Sequence, residues 1–373
     1  MFEPIRIRHP FLSTFVLVAL VAVNGCQKSE DINAGTKNGY DAGQNPGDGN
    51  SAANNGYYGS ADAVLKNHQE TDADEDAGAD DGGQPVREGS WRFIVTGDSR
   101  DTENGFNEEV LPRLVEAILN EHHAYAIDLV IFLGDMVYST ADIRSELLGW
   151  RDAMQPVYDA GIAVYAVRGN HELSCPVACW QEVFSGPYAL PDNGPEGETG
   201  LTYSFSHRNA FFVGFDNYSG NKVNLRWVEN ELKTNTRAHV FPFAHEPAFA
   251  VYHSDCLDEY PEKRDRFWAS LEQAGARVYL CGHDHFFDHA RVNDKDGNSE
   301  NDIHQYIVGT AGGPIYSFSP PYSGNNSGMS VEQIDHAETY GFVLVEVENL
   351  EVTLTWMPLD DGAGPSWRYT AST

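Results

Sequence analysis

Positive charge is scarce in this chain of 373 residues: 24 Lys and Arg stand against 56 Asp and Glu, for a formal net charge of −32. The balance excludes a surface built to track a nucleic-acid backbone, which binds through Lys and Arg. A phosphorylated ligand would have to be attracted by something other than a basic face. Cysteine is sparse as well, at five residues, none with zinc-finger spacing. The apolar stretch near the start, Phe11 to Val23, is too short for a comfortable membrane-spanning helix.

What stands at the N-terminus is a targeting pattern. Arg6 and Arg8 precede the apolar stretch, and Asn24-Gly25-Cys26 follows it. Gly before Cys resembles a bacterial lipoprotein signal, with residues 1–25 removed and lipid on Cys26. That implies an exported protein tethered to a membrane, in the periplasm or at the cell surface. Asn24 is a less usual residue there, so plain secretion and an uncleaved anchor remain the alternatives. Residues 26–90 read as a disordered tether, because 13 acids and 4 bases among Gly, Asn and Ala bury too little apolar surface to offset ordering. Within it, Asp72, Asp74 and Asp76 suggest a calcium loop but lack its sixth-position Gly and distal Glu, which favours plain linker. Asp294-Lys-Asp296-Gly297-Asn298 reads as a hairpin tip rather than an ion site.

Past residue 90, short apolar runs alternate with amphipathic segments. Strands are expected at 92–97, 128–133, 162–167, 238–244, 276–281, 303–308, 342–347 and 352–356. Helices are expected near 106–120, 142–160, 222–234 and 262–274. Tyr203 to Phe205 and Phe211 to Phe215 form an antiparallel pair joined by Ser206 to Asn209. Of the four later cysteines, Cys175 and Cys179 either close a small loop or stay apart. Cys281 ends an apolar strand, where a buried thiol is the plain reading.

Seven residues able to bind metal follow one another along this frame. Asp98 follows Val95-Thr96-Gly97. Asp135 and Tyr138 lie in Gly134-Asp135-Met-Val-Tyr138, and Asn170 in Gly169-Asn170-His171-Glu172. His245 follows Pro242-Phe-Ala, and His283 and His285 lie in Gly282-His283-Asp-His285. Several stand at the C-terminal ends of buried strands, where open α/β sheets place their sites. Two metals close together need a bridging carboxylate, and Asp135 is the candidate. Asp98, Tyr138 and His285 would complete one site, a hard set suited to ferric iron. Asn170, His245 and His283 would complete the other, suited to divalent Fe, Zn or Mn. Each motif alone has a bland reading as a turn or a packed side chain; their order together carries the signal.

This order resembles the calcineurin-like metallophosphoesterase superfamily, and Tyr138 points to its purple acid phosphatase branch. Two motifs depart from the family pattern. Arg100 stands where Gly is usual after the first Asp, and Pro242 where Val precedes the His245 motif. Other branches carry a ligating His at the Arg100 position. A guanidinium cannot ligate, so Tyr138 would fill the vacancy. Arg100 would then fork onto phosphate or pair with Asp101 or Glu103.

The resemblance implies an α/β fold, two mixed β-sheets packed face to face with flanking helices, over a catalytic domain of residues 91–373. Plant-type relatives carry a further β-sandwich before the first Asp; here only the tether stands there. The resemblance also implies hydrolysis of small phosphate monoesters, with a metal-held hydroxide attacking phosphorus and His171 protonating the leaving group. His253 is either a phosphate-facing residue or an exposed loop histidine. A phosphodiesterase or a nucleotide or lipid-headgroup hydrolase would use the same centre. A non-catalytic binding lipoprotein is the reading from another class. Thr310-Ala-Gly312-Gly313-Pro314 either brings backbone close to the cleft or is a plain turn.

Overall fold

The computed structural model describes residues 89–220, 222–317 and 328–371. The expected signal, Cys26, the run at 72–76 and nearly all of the tether lie outside them. No helix of the described residues is long and apolar enough to cross a membrane.

Two mixed sheets form the body. In the first the order is β13 (Ser366–Thr370), β12 (Glu351–Pro358), β11 (Gly341–Glu348), β1 (Ser90–Thr96), β2 (Leu129–Phe132), β3 (Ala163–Ala166). In the second it is β10 (Ser330–Ala337), β8 (Phe287–Asn293), β9 (Ile303–Val308), β7 (Val278–Cys281), β6 (His239–Phe243), β5 (Ala210–Gly214), β4 (Tyr203–His207). Parallel neighbours β2 and β3 are apolar along their length, and β1 is buried from Trp91 onward, because helices cover the outer face and the other sheet covers the inner one. Phe93 of β1 meets Phe212 of β5 and Phe241 of β6 edge-on, at 5.3 and 5.0 Å between centroids, so the aromatic core sits between the sheets.

The helices are α1 (Val110–Ala124), α2 (Ile143–Ala153), α3 (Gln155–Asp159), α4 (Val177–Val183), α5 (Leu225–Thr234) and α6 (Pro261–Gln273). On α1, Val110, Leu111, Leu114, Val115 and Ile118 form the buried face. The helix expected over 142–160 is two helices. Pro156 has no N–H to reach back to Asp152, so the helix ends at Ala153 and restarts. The β4–β5 turn is tighter than expected, with Arg208 in left-handed conformation (φ 49°). Strands β8, β10 and β13 were not anticipated. β8 carries Asp288, His289 and Arg291 and reads as polar, yet Asp288 is buried and accepts hydrogen bonds from Gln333 Nε2 (2.6 Å) and His336 Nδ1 (3.1 Å) of β10.

Beside Asp288 lies a buried histidine pair. His289 and His304 share one hydrogen bond, Nε2 to Nδ1 at 2.6 Å, under stacked Tyr306 and Trp367 rings. Burial pushes His289 down to about 3; burial, then His289, Arg277 and Arg291, push His304 down to about 2. Asp335, 3.8 Å from His289, is the nearby acid. Both folded-state values lie below the unfolded value near 6.5. The unfolded chain therefore takes up protons first as pH falls, and stability drops below about pH 6.5. Each proton contributes a slope of about 1.4 kcal/mol per pH unit. Urea midpoints measured from pH 7.5 to 5 should fall, and fall less steeply in His304→Gln. Equal slopes in the two proteins would exclude the pair as a source of acid sensitivity.

Candidate metal centre

The strands deliver the candidate ligands to one end of the sandwich. Asp98 follows β1, Asp135 follows β2 and His283 follows β7, and all three have left-handed backbone, with φ 62°, 48° and 71°. Non-glycine residues adopt it at a cost of order 1 kcal/mol each, and such strain gathers at functional sites. Asp98 N–H donates to Gly134 O (2.9 Å) and Arg100 N–H to Asp135 O (3.0 Å), so the β1 and β2 loops are stitched together. Gly169 must be glycine, since a Cβ there would collide with Asp135 Oδ1. The 310–314 segment does approach the cleft. Gly313 N–H donates to Asp98 O (2.7 Å), and a Cβ on it would sit 2.7 Å from the His285 ring.

Two groups of donor atoms converge. One oxygen each of Asp98 and Asp135 and a ring nitrogen of His285 lie within 4.8 Å of one another. In the second group, His245 Nε2 lies 3.1 Å from His283 Nδ1, 3.1 Å from Asn170 Oδ1 and 3.5 Å from Asp135 Oδ1. The far nitrogens fix the tautomers. His245 Nδ1–H donates to Leu133 O (2.7 Å), His285 Nδ1–H to Pro314 O (2.9 Å) and His283 Nε2–H to Asp255 Oδ1 (3.3 Å). Each ring thus turns a lone pair inward, as second-layer partners do for ligating histidines. The inward lone pairs of His245 and His283, beside an amide oxygen and a carboxylate, repel one another unless a cation lies among them. The residues fit a metal pair.

The electrostatics agree. Burial first holds His245 down to about 4 and His285 down to about 3, so both rings are neutral near pH 7. Burial alone would lower His283 too, but Asp255, Asp284 and Asp135 raise it, which marks a pocket that favours positive charge. Burial and the Asp135 charge raise Asp98 well above the usual carboxylate range. Two buried carboxylates side by side ionise together only with a cation at hand.

The other expected residues take these places. His171 Nδ1–H donates to Tyr138 O (2.5 Å), leaving Nε2 3.8 Å from Asp135 Oδ2. Arg100 Nε lies 3.7 Å from Asp135 Oδ2, and its Nη2 donates to Tyr316 Oη (3.2 Å). Arg100 touches Asp101 only through the backbone carbonyl, so the pairing considered with that carboxylate does not form. His253 is neither remote nor a plain loop residue: its ring is 4.5 Å from that of His283, and Nδ1 is 2.7 Å from Asp284 Oδ1. The Tyr138 ring lies 5.4 Å from His171 and 5.9 Å from the Arg100 guanidinium. Its phenol has no hydrogen bond among the described residues.

Several contributors escaped sequence reasoning. Glu172 is fully buried and accepts from four backbone N–H groups, those of Asp135, Met136, Val137 and Gly169, at 2.6 to 3.3 Å. Its place in Gly169-Asn170-His171-Glu172 was the available signal. Asp284, between the two histidines, accepts from the Tyr252 and His253 N–H groups. Arg168 forms a buried two-pronged pair with Asp216 (2.9 and 2.8 Å), which ties the Asn170 loop to the end of β5. The Cys175–Cys179 disulfide closes the loop after it, while Cys256 and Cys281 are buried free thiols.

The model of the calcineurin-like phosphoesterase family matches residues 92–287, the stretch from β1 through His285. The chain belongs to this family. No curated protein matches it in sequence. Among solved structures, the metallophosphoesterase fold recurs in purple acid phosphatase PPD1 from yellow lupin (TM-score 0.60, 17% identity, 78% of this chain and 54% of that one). It recurs in GAP50, described as the anchor in the inner membrane complex of Plasmodium (0.56, 13%, 76% and 90%), and in PhoD (0.53, 13%, 78% and 71%). The chain spans about half the length of the lupin enzyme.

Proposed function

We propose that this metallophosphoesterase hydrolyses phosphate monoesters at a two-metal centre of the purple acid phosphatase type. The observation that carries the reading is the convergence of His245 Nε2, His283 Nδ1 and Asn170 Oδ1 on Asp135, with Asp98 and His285 on its other side. Asp98, Asp135, Tyr138 and His285 would hold ferric iron, and Asp135, Asn170, His245 and His283 a divalent Fe, Zn or Mn ion. When bound, such a pair supplies Lewis-acid polarisation of the phosphoryl group and a nucleophile drawn from water. The chain's own residues do the rest. Arg100 and His253 stand on the cleft wall where they can donate to phosphate oxygens. His171, held by Tyr138 O, presents Nε2 to the cleft and gives its proton to the leaving oxygen. The test is a panel of monoesters and diesters assayed with metal-loaded protein. Monoester turnover well above diester turnover supports the proposal; the reverse order makes the protein a diesterase.

Tyr138 separates the branches. A phenolate on ferric iron absorbs visible light by charge transfer, so iron-loaded protein should be coloured, and Tyr138→Phe should lose the band while keeping its fold. A band that survives in the variant, or a colourless protein with verified ferric iron, would make Tyr138 a packing residue. For the N-terminus we propose removal of residues 1–25 and lipidation of Cys26. Mass spectrometry of the native protein should find a lipidated Cys26, whereas an intact Met1 or a bare thiol contradicts it.

A further inference from the structure

A ladder of aromatic rings climbs from the metal centre to the surface. The Tyr316 ring stacks on His285 (4.4 Å, 9° between planes), and Tyr252 stacks on Tyr316 (4.7 Å, 15°). His253 meets both tyrosines edge-on, at 5.0 and 5.4 Å. The ladder is held at each level: His285 by Pro314 O, Tyr316 by Arg100 Nη2, and Tyr252 through its N–H to Asp284 Oδ2 (3.0 Å). Tyr252 ends it with half of its surface still open, at 50% exposure.

Large exposed apolar side chains are few among the described residues: Tyr125, Leu173, Tyr252, Tyr260 and Ile334. Two of them belong to the loops that carry cleft residues, Tyr252 beside His253 and Leu173 two residues after His171. A bare phosphate leaving group would gain nothing from such surfaces, whereas a planar ring would. The charge nearby points the same way. Asp255, on the same loop, is 60% exposed, and the chain as a whole is strongly acidic, so a second anionic group is disfavoured here.

We propose that Tyr252 and Tyr316 form a leaving-group subsite that selects phosphate esters carrying a planar, uncharged ring. The inference rests on the phosphoesterase reading and narrows its substrate class. Tyr316 sets the plane of Tyr252, and the exposed half of Tyr252 offers the ring an edge-on or offset contact. Aryl and nucleoside esters share this chemistry.

The test has two arms. In the binding arm, metal-loaded protein is titrated with phenylphosphonate and methylphosphonate, which share the anionic head and are not hydrolysed. The protein should bind the phenyl compound more tightly. Tyr252→Ala should weaken that binding about 3- to 10-fold, the range for one aromatic pair, and Tyr252→Phe, which keeps the ring, should restore it. In the turnover arm, the ratios of kcat/KM for phenyl phosphate and for a nucleoside 5′-monophosphate to that for glycerol phosphate should fall in Tyr252→Ala. Whichever ring substrate loses more identifies the source. Equal affinity for the two phosphonates, or a Phe variant as weak as the Ala variant, overturns the subsite. If the wild-type protein hydrolyses no ester, the hydrolase reading falls, and the binding arm still decides the subsite.

Discussion

Asp135→Asn is expected to lose metal and activity together, with turnover down about a thousandfold or more. Asp135 stands between the two donor groups. Its Oδ1 is 3.5 Å from His245 Nε2 in one, and it joins Asp98 and His285 in the other. Among the described residues, no other carboxylate meets both. An amide offers one oxygen and no charge, so it cannot bridge. Metal chemistry is worth several kcal/mol at the transition state, and each 1.36 kcal/mol is tenfold in rate. The fold should survive, because the Asp135 N–H still reaches Glu172 Oε2 (2.9 Å) and the carbonyl still accepts from Arg100 N–H. Metal content by elemental analysis, turnover and a thermal melt check this together. Full metal content with retained turnover would remove Asp135 from the bridge.

His171→Ala should behave differently: both metals kept, turnover lower by about 10²- to 10⁴-fold, the range for a lost general acid. His171 follows Asn170, but its Nδ1 is committed to Tyr138 O and its Nε2 stands 3.8 Å from Asp135, facing the cleft rather than joining the converging lone pairs. The loss should depend on the ester. A leaving group that departs without a proton should suffer least, and a poor alkoxide most. A loss equal across leaving groups would instead assign the His171 ring to positioning, through its Nδ1–H on Tyr138 O and its Nε2 3.8 Å from Asp135 Oδ2.

The sequence made much of the ligand order legible because Asp98, Asp135, Asn170 and His283 each follow a recognisable unit, an apolar run ended by Gly. That grammar is local, so Asp98, Asp135 and His283 could be read before any contact was known. Asp255, Tyr252 and Tyr316 have no such local mark. Asp255 matters because the fold brings it 3.3 Å from His283, and Tyr316 because it lands on His285 from a loop some thirty residues away along the chain. The missed strand β8 fails for a related reason: its Asp288 and His289 look solvent-facing until their partners on β9 and β10 are in place. The single helix expected over 142–160 overlooked Pro156, a signal that was present in the sequence.

The measurement that bears most directly on the whole account is elemental analysis of the purified full-length protein, paired with its monoester turnover. The account predicts two transition-metal ions per chain, one of them iron, with activity lost on chelation and restored by adding metal back. Full hydrolytic activity with one ion or none bound per chain would contradict it.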